Sequence, residues 1–193
     1  MKHNFRKGRT FAGMILVAGL AAVLAGCISP GDNSAPMRSG ATASAFPRVE
    51  GINLQGQKID VPNQLRGNPT LVIVAYEREQ QSVIDGWLPA LEELEKRRSG
   101  FRFYELPVIY ETNIVNRFWI TNGMRSGIEN TTARYRTITL YTDREQFNEM
   151  VGISNMSTIH LLVLNANKEI VWRTSGGYSA DKFIALQGVI AGM

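Results

Sequence analysis

The sequence predicts an α/β domain with a mixed central sheet, helices on both faces of that sheet and an N-terminal β-hairpin. Two observations indicate this fold class. From residue 46 onward, apolar segments rich in β-branched residues alternate with segments of helical spacing, and this alternation is typical of a sheet covered by helices. Residues 46–193 also have an ordinary length for one domain.

The domain begins with a hairpin and a buried strand. Residues 49–54 and 58–61, separated by a Gln-Gly-Gln turn, predict the hairpin. Residues 70–76 form an uninterrupted β-rich apolar run, which suits a strand buried on both faces. Residues 80–98 carry apolar side chains at helical spacing, and Pro89 predicts a kink within that helix.

The rest of the domain continues the alternation. Strands are predicted where β-branched and aromatic residues cluster, and helices where apolar residues recur every three or four positions. The predicted strands are residues 101–109, 137–141, 159–164 and 169–174, the last two forming a hairpin, and the predicted helices are residues 113–126, 144–151 and 179–190.

The N-terminus has the features of a secretory signal. A basic opening without acidic residues precedes an apolar run over residues 14–24, which is too short for a membrane span of about 20 residues. The following Leu24-Ala25-Gly26-Cys27 resembles the lipobox of bacterial lipoproteins. That resemblance implies cleavage before Cys27 and diacylation of this cysteine with chains such as palmitate. An uncut signal anchor with an incidental cysteine is the alternative.

This signal predicts three segments. Residues 1–26 would be the lipoprotein signal peptide, and residues 46–193 the folded domain. Residues 27–45 would contain the lipidated cysteine and a flexible tether rich in Gly, Ser, Ala and Pro. We therefore expect a protein that is lipid-anchored to a bacterial membrane and faces the periplasm. Ile28, which is not aspartate, favours the outer membrane by the sorting rule of diderm lipoproteins.

The charge balance bears on the class of partner. Four of the 21 Lys and Arg residues lie in the signal, so cleavage would leave 17 of them against 17 Asp and Glu. A neutral chain gives no reason to expect nucleic acid as a partner. We expect one partner to be the membrane, through Cys27, and another to be a protein of the cell envelope.

The order of elements resembles the thioredoxin-like superfamily, most closely its peroxiredoxin (AhpC-TSA-like) and membrane-tethered branches, over nearly all of residues 46–193. Residues 71–76, the loop after them and a helix containing Pro89-Ala90-Leu91-Glu92-Glu93-Leu94 look like the strand, active loop and kinked first helix of that fold. Residues 161–173, followed by Gly176-Gly177, look like its closing hairpin and glycine turn.

The sequence departs from this superfamily at the redox centre. If Pro89 matches the proline of the thioredoxin helix, the two cysteine positions fall near Gln81 and Ile84, and the cis-proline position falls near Ile159. None of these residues can supply a thiolate, and the only cysteine of the chain is Cys27. Composition therefore excludes a thiol-disulfide oxidoreductase and a peroxidase, and we predict no cofactor.

A narrower resemblance concerns the family of the mitochondrial ATP-synthase assembly factor. It would imply a chaperone-like role in the maturation of a membrane complex. The compartments differ, because a lipoprotein domain lies outside the cytoplasmic membrane whereas the mitochondrial factor works on the matrix side. The similar residues are Phe46-Pro47, Gly51, Leu54, Leu65-Arg66-Gly67, Thr70-Leu71-Val72 and Gln80-Gln81-x-x-Ile84-Asp85-x-Trp87.

A polar loop follows the first central strand, where open sheets of this class bind ligands. With His160 nearby, two carboxylates of the loop could hold a divalent metal or act as acid and base. Alternatively, these carboxylates stabilise the helix dipole by about 0.3–1 kcal/mol each, and His160 is a strand residue facing a neighbour. The residues lack the spacing of metal ligands, so we predict no metal site. The candidate loop site consists of Glu77, Arg78, Glu79, Gln80 and Gln81.

The predicted helix over residues 113–126 offers a candidate protein contact. Arg117, Trp119 and Arg125 could form an aromatic and basic surface. Aromatic residues at helical spacing could equally form the core face, which would leave the arginines in solvent. Arg125 with Arg134 and Arg136 could also bind an anion, with solvated arginines as the alternative.

Two functions are compatible with the sequence. The first is a redox-inactive, membrane-tethered binding or assembly module for an envelope complex. The second is an enzyme with a repurposed, metal-assisted site at the Glu77–Gln81 loop. We favour the first, because the sequence offers no clear replacement for the lost redox centre.

Overall fold

A computed structural model describes residues 44–110, 120, 123–124, 126–128 and 130–193. The eight strands of the described residues form one mixed sheet, and five α-helices pack on it. The strands are β1 (Ser44–Ala45), β2 (Val49–Asn53), β3 (Lys58–Val61), β4 (Thr70–Ala75), β5 (Arg102–Ile109), β6 (Ile138–Tyr141), β7 (His160–Leu164) and β8 (Glu169–Ser175). The helices are α1 (Gln81–Asp85), α2 (Leu88–Arg97), α3 (Thr131–Arg136), α4 (Arg144–Val151) and α5 (Ala180–Ala191).

The sheet has the order β1-β8-β7-β4-β5-β6-β2-β3. Strand β4 pairs in parallel with β5 and antiparallel with β7, and β5 pairs in parallel with β6. The N-terminal hairpin of β2 and β3 joins this sheet through antiparallel pairing of β2 with β6. The predicted mixed sheet and N-terminal hairpin are therefore confirmed.

Helices cover both faces of the sheet, as predicted. All six residues of β4 are buried, and their side chains alternate between two apolar layers. Leu71 and Ile73 pack in the layer that includes residues of α1, α2 and α5. Val72 and Val74 pack in the layer that includes Phe147 of α4. Burial on both faces explains why residues 71–75 of this strand are all apolar.

The helix predicted over residues 80–98 is broken into shorter pieces. A 3-10 turn over Arg78–Gln80 leads into α1, which ends at Asp85, and α2 begins at Leu88. Pro89 lies in the first turn of α2 and not at a kink inside one helix, so that prediction is wrong. Proline suits the first turn because the N–H groups there have no partner within the helix.

Two other differences concern the ends of elements. Strand β1 pairs with β8, so the sheet begins two residues before the predicted domain start at residue 46. Helix α3 was not predicted; the Asn130 side chain caps it by accepting from the N–H groups of Thr132 and Ala133 at 2.8 and 3.2 Å. The predicted helix over residues 113–126 lies mostly outside the described residues. Within the described part of the chain, none of the helices is long and apolar enough to cross a membrane.

Candidate functional site

The loop after β4 is joined to the loop before β7 by one buried side chain. Gln80 is 6% exposed. Its Oε1 accepts from the backbone N–H of Tyr76 at 2.8 Å, and its Nε2 donates to the carbonyl oxygen of Met156 at 2.8 Å. Met156 lies four residues before β7. Gln80 therefore links two loops at the carboxyl end of β4, while Glu77, Arg78 and Glu79 are exposed.

Arg144, the first residue of α4, holds the same loop from the other face of the sheet. Its guanidinium donates to the carbonyl oxygens of Tyr76 at 2.6 Å and Val108 at 2.9 Å. A third bond of 3.0 Å reaches a carboxylate oxygen of Glu77. The side chain of Arg144 is 11% exposed, whereas that of Glu77 is 59% exposed. The two carbonyl bonds therefore hold α4 against the ends of β4 and β5, and the ion pair adds little.

The positions that the resemblance assigned to redox residues hold no reactive group. Gln81 is exposed at the start of α1 and donates to the Asp85 carboxylate at 3.0 Å. Ile84 is buried in the apolar layer beneath α1. Ile159 is buried, and its carbonyl oxygen accepts from the N–H of Gly176 at 2.9 Å. This end of the sheet is therefore packed and hydrogen-bonded without a nucleophile at these positions.

A buried carboxylic acid behind Gln81 was not anticipated from the sequence. Glu105 on β5 is 4% exposed. Burial raises its pKa; a hydrogen bond from Gln81 opposes the rise, the Asp85 carboxylate adds to it, and Arg136 lowers it. The signal in the sequence is one glutamate within the apolar run of β5. Which face that glutamate occupies depends on the register of the strand.

His160 lies at the start of β7 with its ring partly buried. Its Nε2 is 2.6 Å from the carbonyl oxygen of Asn155. Burial lowers the pKa of His160, and the hydrogen bond to Asn155 acts in the opposite direction. The ring thus pairs with a backbone carbonyl and not with a carboxylate. Among the residues that the structure describes, no three His, Cys, Asp or Glu side chains are grouped closely enough to hold a metal ion.

The candidate contact residues Arg117, Trp119 and Arg125 lie outside the described residues, as does Cys27. The two described arginines of the proposed anion cluster have partners. Arg134 donates to the carbonyl oxygen of Ile128 at 2.6 Å. Arg136 forms an ion pair of 3.2 Å with Glu95, and its guanidinium lies 4.1 Å from the centroid of the Phe103 ring.

Solved structures share this arrangement of strands and helices. The thioredoxin domain of a thiol-disulfide oxidoreductase from Bacteroides vulgatus matches with a TM-score of 0.50 and 17% identity, over 78% of this chain and 98% of that one. A thiol:disulfide interchange protein from Bacteroides sp. matches with a TM-score of 0.52 and 17% identity, over 78% of this chain and 91% of that one. BsSco, of the Sco family of cytochrome c oxidase assembly proteins, matches with a TM-score of 0.52 and 8% identity, over 78% of this chain and 93% of that one.

The fold is thioredoxin-like, in agreement with the resemblance found in the sequence. No protein-family model and no curated protein matches the chain. At these low identities the structural likeness defines the fold and leaves the activity open. The sequence of residues 44–193 contains no cysteine.

Proposed function

We propose that the chain is a membrane-tethered, redox-inactive thioredoxin-like lipoprotein that acts as a binding or assembly module for a complex of the cell envelope. One observation carries this proposal: Gln81, Ile84 and Ile159 occupy the expected redox positions in a domain without cysteine. Thiol-disulfide exchange requires a thiolate, which this domain lacks. We therefore infer that it acts by binding other molecules through its surface.

The packing of the site supports a scaffold. Gln80 bridges the loops after β4 and before β7, and Arg144 holds the first of these loops to α4. Both side chains are largely buried and hydrogen-bonded to backbone groups, which favours one arrangement of the loops. The exposed residues Glu77, Arg78 and Glu79 would then present a fixed polar surface to a partner.

Assembly is also the role named for one structural neighbour. BsSco belongs to a family of cytochrome c oxidase assembly proteins. The narrower resemblance in the sequence concerns an ATP-synthase assembly factor. Both suggest a membrane complex as the partner, and the lipobox at Cys27 would keep the domain beside such a complex by raising its effective concentration.

Crosslinking in cells tests the assembly proposal. The full-length protein with a C-terminal tag would be crosslinked in the bacterium that makes it, and the solubilised membranes analysed by mass spectrometry. A control would export the same domain with a cleavable signal that lacks Cys27. We expect one membrane complex in near-stoichiometric amount, lost or strongly reduced in the control. Absence of any enriched complex from the tethered protein would contradict the assembly role.

The second candidate is an enzyme that uses the exposed carboxylates. Glu77 and Glu79 flank Arg78 at the carboxyl end of a central strand, where sheets of this class bind ligands. The double substitution Glu77→Gln with Glu79→Gln removes both charges and preserves shape. Metal and ligand screens on the wild type would precede it, and any activity found should be abolished in the variant. A broad protein contact should survive the substitution nearly intact, so retention of the crosslinked complex would favour the module over the enzyme.

A further inference from the structure

A second concave site lies away from the loop after β4. A cleft of about 350 Å³ opens between the C-terminal part of α2, the start of β5 and α3. Four cationic side chains line it, those of Arg66, Lys96, Arg102 and Arg136, and among the residues that the structure describes Glu95 is the only carboxylate of the lining. Residues 44–193 carry equal numbers of basic and acidic residues. The excess of positive charge is therefore a local property of the cleft.

One carboxylate cannot balance these four cations. Glu95 lies 3.2 Å from a guanidinium nitrogen of Arg136 and 3.8 Å from one of Arg102. Within the described part of the chain, the charged groups of Arg66 and Lys96 have no ion-pair partner. Both of these residues are exposed. The lining therefore keeps two cations that an incoming anion could neutralise.

Parts of the lining are fixed before any ligand arrives. The side chain of Arg136 is 12% exposed and is held between the Glu95 carboxylate and the ring of Phe103. The backbone N–H of Arg66 donates to the hydroxyl of Tyr104 at 3.0 Å, which fixes the backbone that carries Arg66. Holding such groups in place lowers the entropy that binding would otherwise cost.

We propose that this cleft binds a small phosphate-bearing anion that also has a flat apolar part. Several guanidinium groups in one place suit a phosphate, because their forked donors match its oxygens. The half-buried ring of Tyr135 also lines the cleft and offers apolar surface to the remainder of the ligand, while Phe103 and Tyr104 are buried in its wall. The volume lies near the lower end of the range of roughly 300–1,000 Å³ typical of small-molecule sites. A free aromatic phosphate ester has both parts, whereas a phospholipid headgroup supplies the phosphate alone.

Titration of the full-length protein in micelles of a neutral detergent tests the proposal. Phenyl phosphate would be added at low ionic strength and followed by calorimetry, with inorganic phosphate as the probe that lacks a ring. In a second arm, phosphatidylglycerol would be mixed into the micelles in place of phenyl phosphate. We expect saturable binding in at least one arm, weakened by added salt because screening reduces charge attraction. Binding of phenyl phosphate would indicate a free ester, and binding of phosphatidylglycerol alone a lipid headgroup.

Two double variants distinguish binding in the cleft from a general effect of the protein's positive charge. Arg66→Gln with Lys96→Gln removes the two cations that lack an ion-pair partner among the described residues, and we expect affinity to fall about tenfold or more. Arg48→Gln with Lys58→Gln removes the same charge outside the cleft and should bind like the wild type. Equal weakening by both variants, or no saturable binding of either probe to the wild type, would overturn the proposal. Circular dichroism and thermal unfolding would establish that both variants are folded.

Discussion

At the scale of single residues, Gln80 and Glu105 are two buried polar side chains that affect stability in different ways. Gln80 satisfies two backbone groups in neighbouring loops, and an unpaired buried polar group costs about 1–3 kcal/mol. Glu105 is a buried carboxyl whose pKa is raised because burial disfavours its charged form. The first should stabilise the fold, and the second should make its stability depend on pH.

Replacement of Gln80 by leucine should lower the free energy of unfolding by about 2 kcal/mol or more. The substitution leaves the N–H of Tyr76 and the carbonyl oxygen of Met156 without their side-chain partner. Urea denaturation at neutral pH would measure the change. Glu79→Gln, on the exposed side of the same loop, is the control and should change stability by less than about 0.5 kcal/mol. A Gln80→Leu protein as stable as this control would contradict the bridging role.

Glu105 should make the protein less stable as the pH rises. A glutamate in the unfolded chain ionises near a pKa of about 4.3, whereas the raised pKa of Glu105 keeps it protonated to higher pH in the folded state. Between these two pKa values the folded state binds more protons, so the free energy of unfolding falls with increasing pH. Glu105→Gln should show a smaller fall in urea titrations from pH 4 to pH 8. Parallel curves for the two proteins would rule out this assignment.

At the scale of elements, Arg144 joins α4 to the ends of two strands. Arg144→Met removes donors to the carbonyl oxygens of Tyr76 and Val108, and we expect a loss of about 2–3 kcal/mol in the free energy of unfolding. Glu77→Gln removes only the partner that is 59% exposed, so its effect should stay below about 1 kcal/mol. Urea denaturation of both variants would measure the difference. Equal losses would mean that the ion pair, and not the carbonyl bonds, holds the helix.

Elements with a strong local signal were predicted from the sequence. The apolar run of β4 and the helix α4, which begins at Arg144 as expected, are examples. The break between α1 and α2 was missed, because Pro89 is compatible both with a kink and with the first turn of a new helix. Helix α3 was missed because six residues carry too little periodicity to show a pattern.

At the scale of the whole molecule, lipidation at Cys27 remains a prediction. Radiolabelled palmitate should label the wild-type protein in growing bacteria. The Cys27→Ala variant should take up no label and should accumulate as the uncut precursor, because both acylation and cleavage require that cysteine. Gel electrophoresis with autoradiography would compare the two proteins. An unlabelled and uncut wild type would indicate an uncut signal anchor instead, and labelling of the variant would place the acyl chain on another residue.

The sequence alone determined the order of strands β2 to β8 and of helices α2, α4 and α5, the absence of cysteine from the domain and the candidate lipidation signal. These features depend on local composition and spacing, which are read along the chain. Only the tertiary structure decided that Gln80 is buried and that Glu105 lies behind Gln81. It also brought Arg66, Lys96 and Arg136 to one cleft. Such groupings depend on strand pairing and register between distant segments, and spacing along the chain carries no signal of them.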